Sequence, residues 1–266
     1  MTNQSSLTTP ALDVNTYFMR LGMSGPLPPT AETLRRLHRR HLEQVPFENL
    51  DIHLGRPIVL DEAQLFDKVV RQRRGGFCYE LNSLFAELLR TLGFEVTLLS
   101  ARVADQNGVF SPEFDHLTLL VNTGEMWLAD VGFGDAFLEP LHLVPGLVQK
   151  EDGKEFRLDQ DGDAWTFFER STGASWKAQY RFTLTPRTLA DFTQMCLYHQ
   201  MSPESHFTRN ILISLMTPSG RVTLRGDRLI TTADGERKER IVRFEERSAL
   251  LREHFGVDVS MIPDKG

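Results

Sequence analysis

The sequence predicts an α+β fold laid out in three successive regions: helices first, strands in the middle, and a mixed third part. Three observations predict it. Apolar residues recur at helical spacing up to Gly93. Runs rich in β-branched and aromatic residues then fill 95–184. Beyond residue 210, short alternating runs are separated by Gly226-Asp227 and Asp234-Gly235 turn pairs. The chain has 266 residues, 41% hydrophobic and 25% charged, which supplies a sizeable core for one body of two or three subdomains.

Taken in order, Asp13 caps a first helix that carries Tyr17 and Phe18 and ends at Gly22. Thr30 caps a second, with Leu34, Leu37, His41 and Leu42 on one face. Val45-Pro46 stops it, because a residue before proline avoids the helical region. Asp61 with Gln64 opens a third through Leu65, Phe66, Val69 and Val70. Leu81, Leu84, Phe85, Leu88, Leu89 and Leu92 mark a fourth, with Gly93 at the position past its end. Cys78 falls in or just before the first turn of that helix. Strands are expected at 95–103, 116–121, 126–131, 165–168 and 176–184. A helix with Leu189, Phe192, Met195 and Cys196 follows. Four short strands at 211–216, 221–224, 229–232 and 239–242 precede a last helix over 248–255, which Gly256 stops.

A net charge of -6 provides no global basic field for nucleic acid. No run approaches the roughly 18 apolar residues a membrane span requires. The first residues lack a basic then apolar leader pattern. Only two cysteines occur, Cys78 and Cys196, so free thiols in a reducing cytoplasm are expected. No HExxH or CxxC pattern is present, and no metal is expected.

Cys78 is the first candidate for chemistry. A thiolate is the nucleophilic form, and a helix start, with its free N–H groups, favours negative charge. Gly75 and Gly76 suit a tight approach to that start. The bland alternative is a small buried hydrophobe, which is also the reading for Cys196 in its apolar helical pattern. A thiol nucleophile needs a base, and the base an orienting group. His116 opens one expected strand and Asp130 lies near the end of the next. A three-residue Asn122-Thr123-Gly124 loop would pair Val121 with Glu125 and set His116 directly opposite Asp130. A two-residue loop would put them on opposite faces. Asp130 sits in an otherwise apolar run, where a carboxylate needs a partner. Glu48, among apolar residues, and Arg74, just before the glycines, are candidates for a salt bridge that fixes the loop presenting Cys78.

These residues together resemble the arylamine N-acetyltransferases. The matching pieces are Pro46-Phe47-Glu48-Asn49-Leu50, Arg74-Gly75-Gly76-Phe77-Cys78-Tyr79-Glu80-Leu81-Asn82, His116-Leu117 and Asp130-Val131-Gly132-Phe133-Gly134, in matching order and spacing. Ser202 to Phe207 resembles the family's segment before its last region. The resemblance implies an N-terminal helical bundle (1–93) carrying the nucleophile, a central β-barrel (94–200) carrying the base and its orienting acid, and a C-terminal α/β lid (201–266). The core is then shared with papain-like and transglutaminase enzymes.

The resemblance further implies a Cys78–His116–Asp130 triad, acetyl-coenzyme A as donor, and an arylamine, arylhydrazine or N-hydroxyarylamine as acceptor. It places Phe47, Val103 and Phe133 in the acceptor pocket, and Gly134, Ser202 and Phe207 against coenzyme A. The expected reaction is ping-pong through acetyl-Cys78. Other readings are a macrolactam-forming amide synthase of the same family, a thiol hydrolase with the same triad, or a silent binding protein on this fold.

Overall fold

Asp13 accepts a hydrogen bond from the Thr16 N–H and starts α1 (Val14–Leu21), which Gly22 closes in the left-handed conformation. The computed structural model describes residues 12–233 and 235–259. Thr30 caps α2 (Ala31–Gln44) in the same way, and the helix ends at Val45 ahead of Pro46. A two-residue strand, β1 (Phe47–Glu48), and a short helix, α3 (Leu50–His53), follow. Asp61 caps α4 (Glu62–Phe66), after which the expected continuous helix relaxes into a π turn over Asp67–Arg71. The long α5 (Cys78–Thr91) is buried over most of its surface. Its leucines and Phe85 join those of α1 and α2 in one core, which also takes in the β-strand residues Leu117, Leu119 and Val121.

The middle region is an eight-stranded antiparallel sheet. Its strands are β2 (Glu95–Val103), β3 (His116–Asn122), β4 (Met126–Ala129), β5 (Leu141–His142), β6 (Val148–Glu151), β7 (Lys154–Asp161), β8 (Ala164–Ser171) and β9 (Lys177–Thr183), ordered β5-β4-β3-β2-β9-β8-β7-β6. The sheet curls until its two edges meet. The Gln149 side chain bonds both the N–H and the C=O of His142, at 2.8 and 3.2 Å, and so joins β6 to β5 in a nearly closed barrel. Sequence reading missed β5, β6 and β7. Their residues are largely polar, and on β7 only Phe156 and Leu158 are buried apolar positions beside the ion-paired Glu155. Asp152-Gly153, both at positive φ, is the turn signal that could have revealed the β6–β7 hairpin.

The expected register of β3 and β4 is corrected. Val121 pairs with Trp127, not Glu125, and Asn122 remains in the ladder opposite Met126. The loop is therefore Thr123-Gly124-Glu125, with Gly124 at φ 93°. β4 ends at Ala129, so Asp130 and Val131 leave the strand. The slip is two residues, an even number, so His116 and Asp130 stay on one face although they are not directly opposite.

After the barrel, a 3₁₀ turn over Leu189–Phe192 leads into α6 (Thr193–Met201), and α7 (His206–Arg209) follows. A second sheet runs through β10 (Leu212–Thr217), β11 (Gly220–Arg225), β12 (Arg228–Ala233) and β13 (Glu236–Ile241), before α8 (Arg247–Phe255). Gly226-Asp227 makes the expected two-residue turn. In the other expected turn pair, Asp234 lies outside the described residues. One face of this sheet, with Ile213, Val222, Leu224 and Leu229, packs on Leu250, Leu251 and Phe255 of α8. β1 pairs with β10, so a strand from the helical region becomes the edge of the lid sheet.

Candidate active site

Cys78 is the first residue of α5, and the chain reaches it through a tightly held loop. Glu48 N–H donates to the Gly76 carbonyl at 2.8 Å, so the glycine turn is pinned to β1 and through it to the lid sheet. A Cβ on Gly75 would lie 1.9 Å from the Pro46 carbonyl oxygen, so only glycine fits there. Glu80 Oε2 accepts the Phe77 N–H at 3.1 Å and satisfies one free donor of the helix start. The expected Glu48–Arg74 bridge forms, at 2.8 Å from Nε to Oε1 and 3.1 Å from Nη2 to Oε2. It belongs to a longer buried chain that sequence reading missed. Arg74 also meets Asp51 at 2.9 Å, Asp51 meets Lys68 at 2.7 Å, and Lys68 meets Glu80 at 2.7 Å.

His116 opens β3, and its Nε2 lies 2.6 Å from Asp130 Oδ2. Asp130 is an acceptor, so Nε2 carries the proton and Nδ1 is left as the basic nitrogen. Asn82 joins this pair to the cysteine helix. It lies one turn after Cys78 on α5. Its Nδ2 donates to Asp130 Oδ1 at 2.9 Å and its Oδ1 accepts the Val131 N–H at 2.9 Å. Gly132 N–H also donates to Asp130 Oδ1, at 3.0 Å. Burial pushes the Asp130 carboxyl up, but His116 and these donors outweigh it and hold it below its ordinary value. A Cβ on Gly132 would come within 2.7 Å of Cys78 Cα, which puts the loop after Asp130 directly against the start of α5.

Cys78 and His116 line the same cavity of about 490 Å³. Phe47, Val103, Phe133, Gly134 and Phe207 line it as well, so five of the six residues expected at the substrates are gathered there. Ser202 is not among them. It caps the end of α6, where its hydroxyl accepts the Glu204 N–H. Phe133 stands edge-on to the His116 ring, with centroids 5.2 Å apart. The lid sheet supplies the outer wall through Ser214, Arg221, Thr223, Arg225, Thr232 and Arg237.

The N-acetyltransferase family pattern matches residues 30–263. The chain is 37% identical to the arylamine N-acetyltransferase of Escherichia coli, over 94% of this chain and 90% of that one. The chain belongs to the arylamine N-acetyltransferase family. Among solved structures it is similar to the Salmonella typhimurium arylamine N-acetyltransferase (TM-score 0.88, 35% identity, covering 94% of this chain and 93% of that one). It is also similar to the Mycobacterium marinum arylamine N-acetyltransferase in complex with CoA (TM-score 0.86, 30% identity, 95% of each chain).

In this member of the arylamine N-acetyltransferase family, the cysteine's environment departs from what its place at a helix start suggests. Burial pushes the thiol well above its ordinary value, and the Asp115 and Asp130 carboxylates add to that. The Leu117 N–H, bonded to the sulfur, pulls the other way. A lone thiolate is therefore unfavourable, and ionisation requires a partner to take the proton. Tyr79 OH reaches the carbonyls of Phe114 and Asp115, at 2.7 and 3.1 Å, and so couples the cysteine helix to the residues that lead into His116. Asp115 also lines the cavity, with one oxygen 3.1 Å from His199 Nε2. Asn82 could have been found from its i+4 spacing to Cys78, which puts both on one helix face. Asp51, Lys68, Asp115, His199 and the lid arginines carry no local signal, because each meets its partners across the fold.

Proposed function

We propose that the protein transfers an acetyl group from acetyl-coenzyme A to an arylamine, arylhydrazine or N-hydroxyarylamine through a thioester on Cys78. The observation that carries this reading is the sharing of one cavity by a helix-start cysteine and an imidazole held by a buried carboxylate at 2.6 Å. In the first half-reaction His116 Nδ1 takes the Cys78 proton as the sulfur attacks the thioester carbonyl. The carbon–sulfur bond to coenzyme A breaks, and His116 returns the proton to the departing thiolate. In the second, the amine attacks acetyl-Cys78. His116 takes the amine proton and passes it to the cysteine sulfur, which leaves. Asp130 keeps the proton on Nε2 and stabilises the transient imidazolium. The raised thiol makes this proton acceptor necessary from the start. Aromatic amines suit the second step because they are largely neutral at pH 7, whereas aliphatic amines are mostly protonated.

The decisive experiment is intact-protein mass after brief exposure to acetyl-coenzyme A without amine. A single acetyl adduct is expected on the wild type and none on Cys78→Ala, with the adduct discharged by an added arylamine. Absence of an adduct on reduced wild-type protein would refute the reading. The same adduct discharged by water as fast as by amine would favour a hydrolase.

The lid face supports a polyanionic donor. Strand alternation puts Arg221, Thr223 and Arg225 of β11 on the cavity side, and pairing lines up Arg221, Thr232 and Arg237 in a row across three strands. Phosphates are the natural partners of such a row. Arg225 and Arg237 are solvent-exposed. Changing both to alanine is expected to raise the donor KM roughly tenfold at low salt, at about 1 kcal/mol or less per exposed charge. The arylamine KM should hold. Steady-state titration of each substrate separates the two, and an equal rise in both would discount a phosphate role.

A further inference from the structure

Residues 131–137 form the stretch of cavity wall that carries Gly132, Phe133 and Gly134, and it is held in an unusual way. Among the described residues, no backbone–backbone hydrogen bond ties this stretch to the rest of the fold. Side chains do so instead: Asn82 accepts the Val131 N–H, Arg221 donates to the Gly134 carbonyl, and Glu151 accepts the Leu138 N–H. One side chain spans the whole stretch. His38 Nε2 accepts the Asp130 N–H at 3.0 Å, and its Nδ1–H donates to the Leu138 carbonyl at 2.8 Å. The ring is fully buried and stacks on Phe137, with centroids 5.6 Å apart and planes at 16°. Its two partners assign one tautomer. Burial lowers its pKa to about 4, so it is neutral across the pH range in which an aromatic amine reacts.

We propose that His38 is a positioning residue for the transfer reaction, a neutral imidazole clamp that fixes both ends of the Asp130–Leu138 segment. One end carries the carboxylate that meets His116. Between the ends, Phe133 packs on the His116 ring, and Gly132 lies so close to Cys78 that a single Cβ would clash. Loss of the clamp lets the segment shift, and the shift reaches the base and the nucleophile together. The effect on turnover rests on the catalytic reading above; the effect on geometry does not.

The test compares His38→Phe with His38→Gln. Phenylalanine keeps the ring shape and the Phe137 contact and drops both hydrogen bonds. Glutamine can place an amide oxygen where Nε2 stood and so restores the bond to Asp130. The first readout is the rate of acetyl-Cys78 formation per folded molecule. It should fall roughly tenfold to a hundredfold in the phenylalanine variant, as misplacement of reacting groups does, and return to within a few-fold of wild type with glutamine. The second readout is the low-field proton resonance of His116 Nε2–H, which should shift or broaden in the phenylalanine variant and recover with glutamine. A phenylalanine variant with the wild-type rate and an unchanged resonance overturns the proposal, even if its Tm falls. If that variant fails to fold, His38→Asn, which reaches only as far as the Leu138 carbonyl, takes its place with the same expectations. If the wild type takes no acetyl group, the catalytic reading fails, and the resonance still decides whether His38 positions His116.

Discussion

Replacing Asp130 with asparagine lowers kcat/KM by about 10⁴-fold with little change in folding, the scale seen when a triad carboxylate becomes an amide. Asparagine fits the site. Its oxygen accepts from Asn82 Nδ2 and Gly132 N–H as Oδ1 does now, and a neutral amide is easier to bury than a carboxylate. The harm lies at the other atom. Where Oδ2 now accepts from His116 Nε2 at 2.6 Å, the variant presents an NH₂ group. Two donors cannot face each other, so the imidazole proton moves to Nδ1, the nitrogen that takes the proton from Cys78 in the proposed reaction. The raised thiol makes this loss severe, because without a basic Nδ1 only the Leu117 N–H favours the thiolate, and burial outweighs it. Steady-state rates, with Tm as the folding control, check the prediction. A loss under about tenfold would mean that Asp130 does not set the tautomer and that the proposed role is wrong.

The second large effect falls on stability and follows from counting buried charge. The chain under the Cys78 loop contains two cations, Arg74 and Lys68, and three carboxylates, Glu48, Asp51 and Glu80. The carboxylates hold Lys68 above its ordinary value against the opposing effect of burial, and burial raises Glu80. Removing a cation leaves three acids facing one positive charge. Arg74→Met is therefore expected to destabilise the protein by about 3–5 kcal/mol, the usual range for orphaning a buried charge. Glu48→Gln leaves two acids facing two cations and keeps an oxygen for Arg74 Nε and the Gly75 N–H, but turns an NH₂ towards the Leu50 N–H and Arg74 Nη2, so it should cost about 1–3 kcal/mol, less than the orphaned charge. Urea unfolding of both variants at pH 7 gives the comparison. The gap should narrow at acid pH, where the orphaned carboxylates protonate. Equal losses at pH 7 would show that packing, not charge balance, dominates at this site.

Helix boundaries were legible because they depend on neighbours. Asp13, Thr30 and Asp61 cap their helices through bonds to residues three positions on, and Gly22 and Gly256 end theirs with a left-handed backbone whose N–H bonds carbonyls of the last turn. The place of Cys78 at a helix start was legible for the same reason, since Gly75, Gly76 and the helix start are local. The His116–Asp130 pair was reached through a register two residues out. It survived only because strand faces repeat every two residues, so an even slip keeps both side chains on one side. Ser202, carried over by resemblance with no chemistry of its own pointing there, is not among the residues lining the cavity.

By itself, then, the sequence determined the order of the three regions, where the capped helices start, the cysteine at a helix start and the face shared by histidine and aspartate. Each of these rests on periodicity or on groups a few residues apart. Only the tertiary structure decided that Asp130 leaves its strand to meet His116, that His38 and Asn82 hold it there, and that Asp51 and Lys68 extend the Glu48–Arg74 bridge to the cysteine helix. It also decided that the lid's arginines face the same cavity as Cys78. The physical reason is common to the first three. A buried polar group must find a partner, but which partner depends on how distant segments pack, and neither hydrophobic period nor capping chemistry encodes that distance.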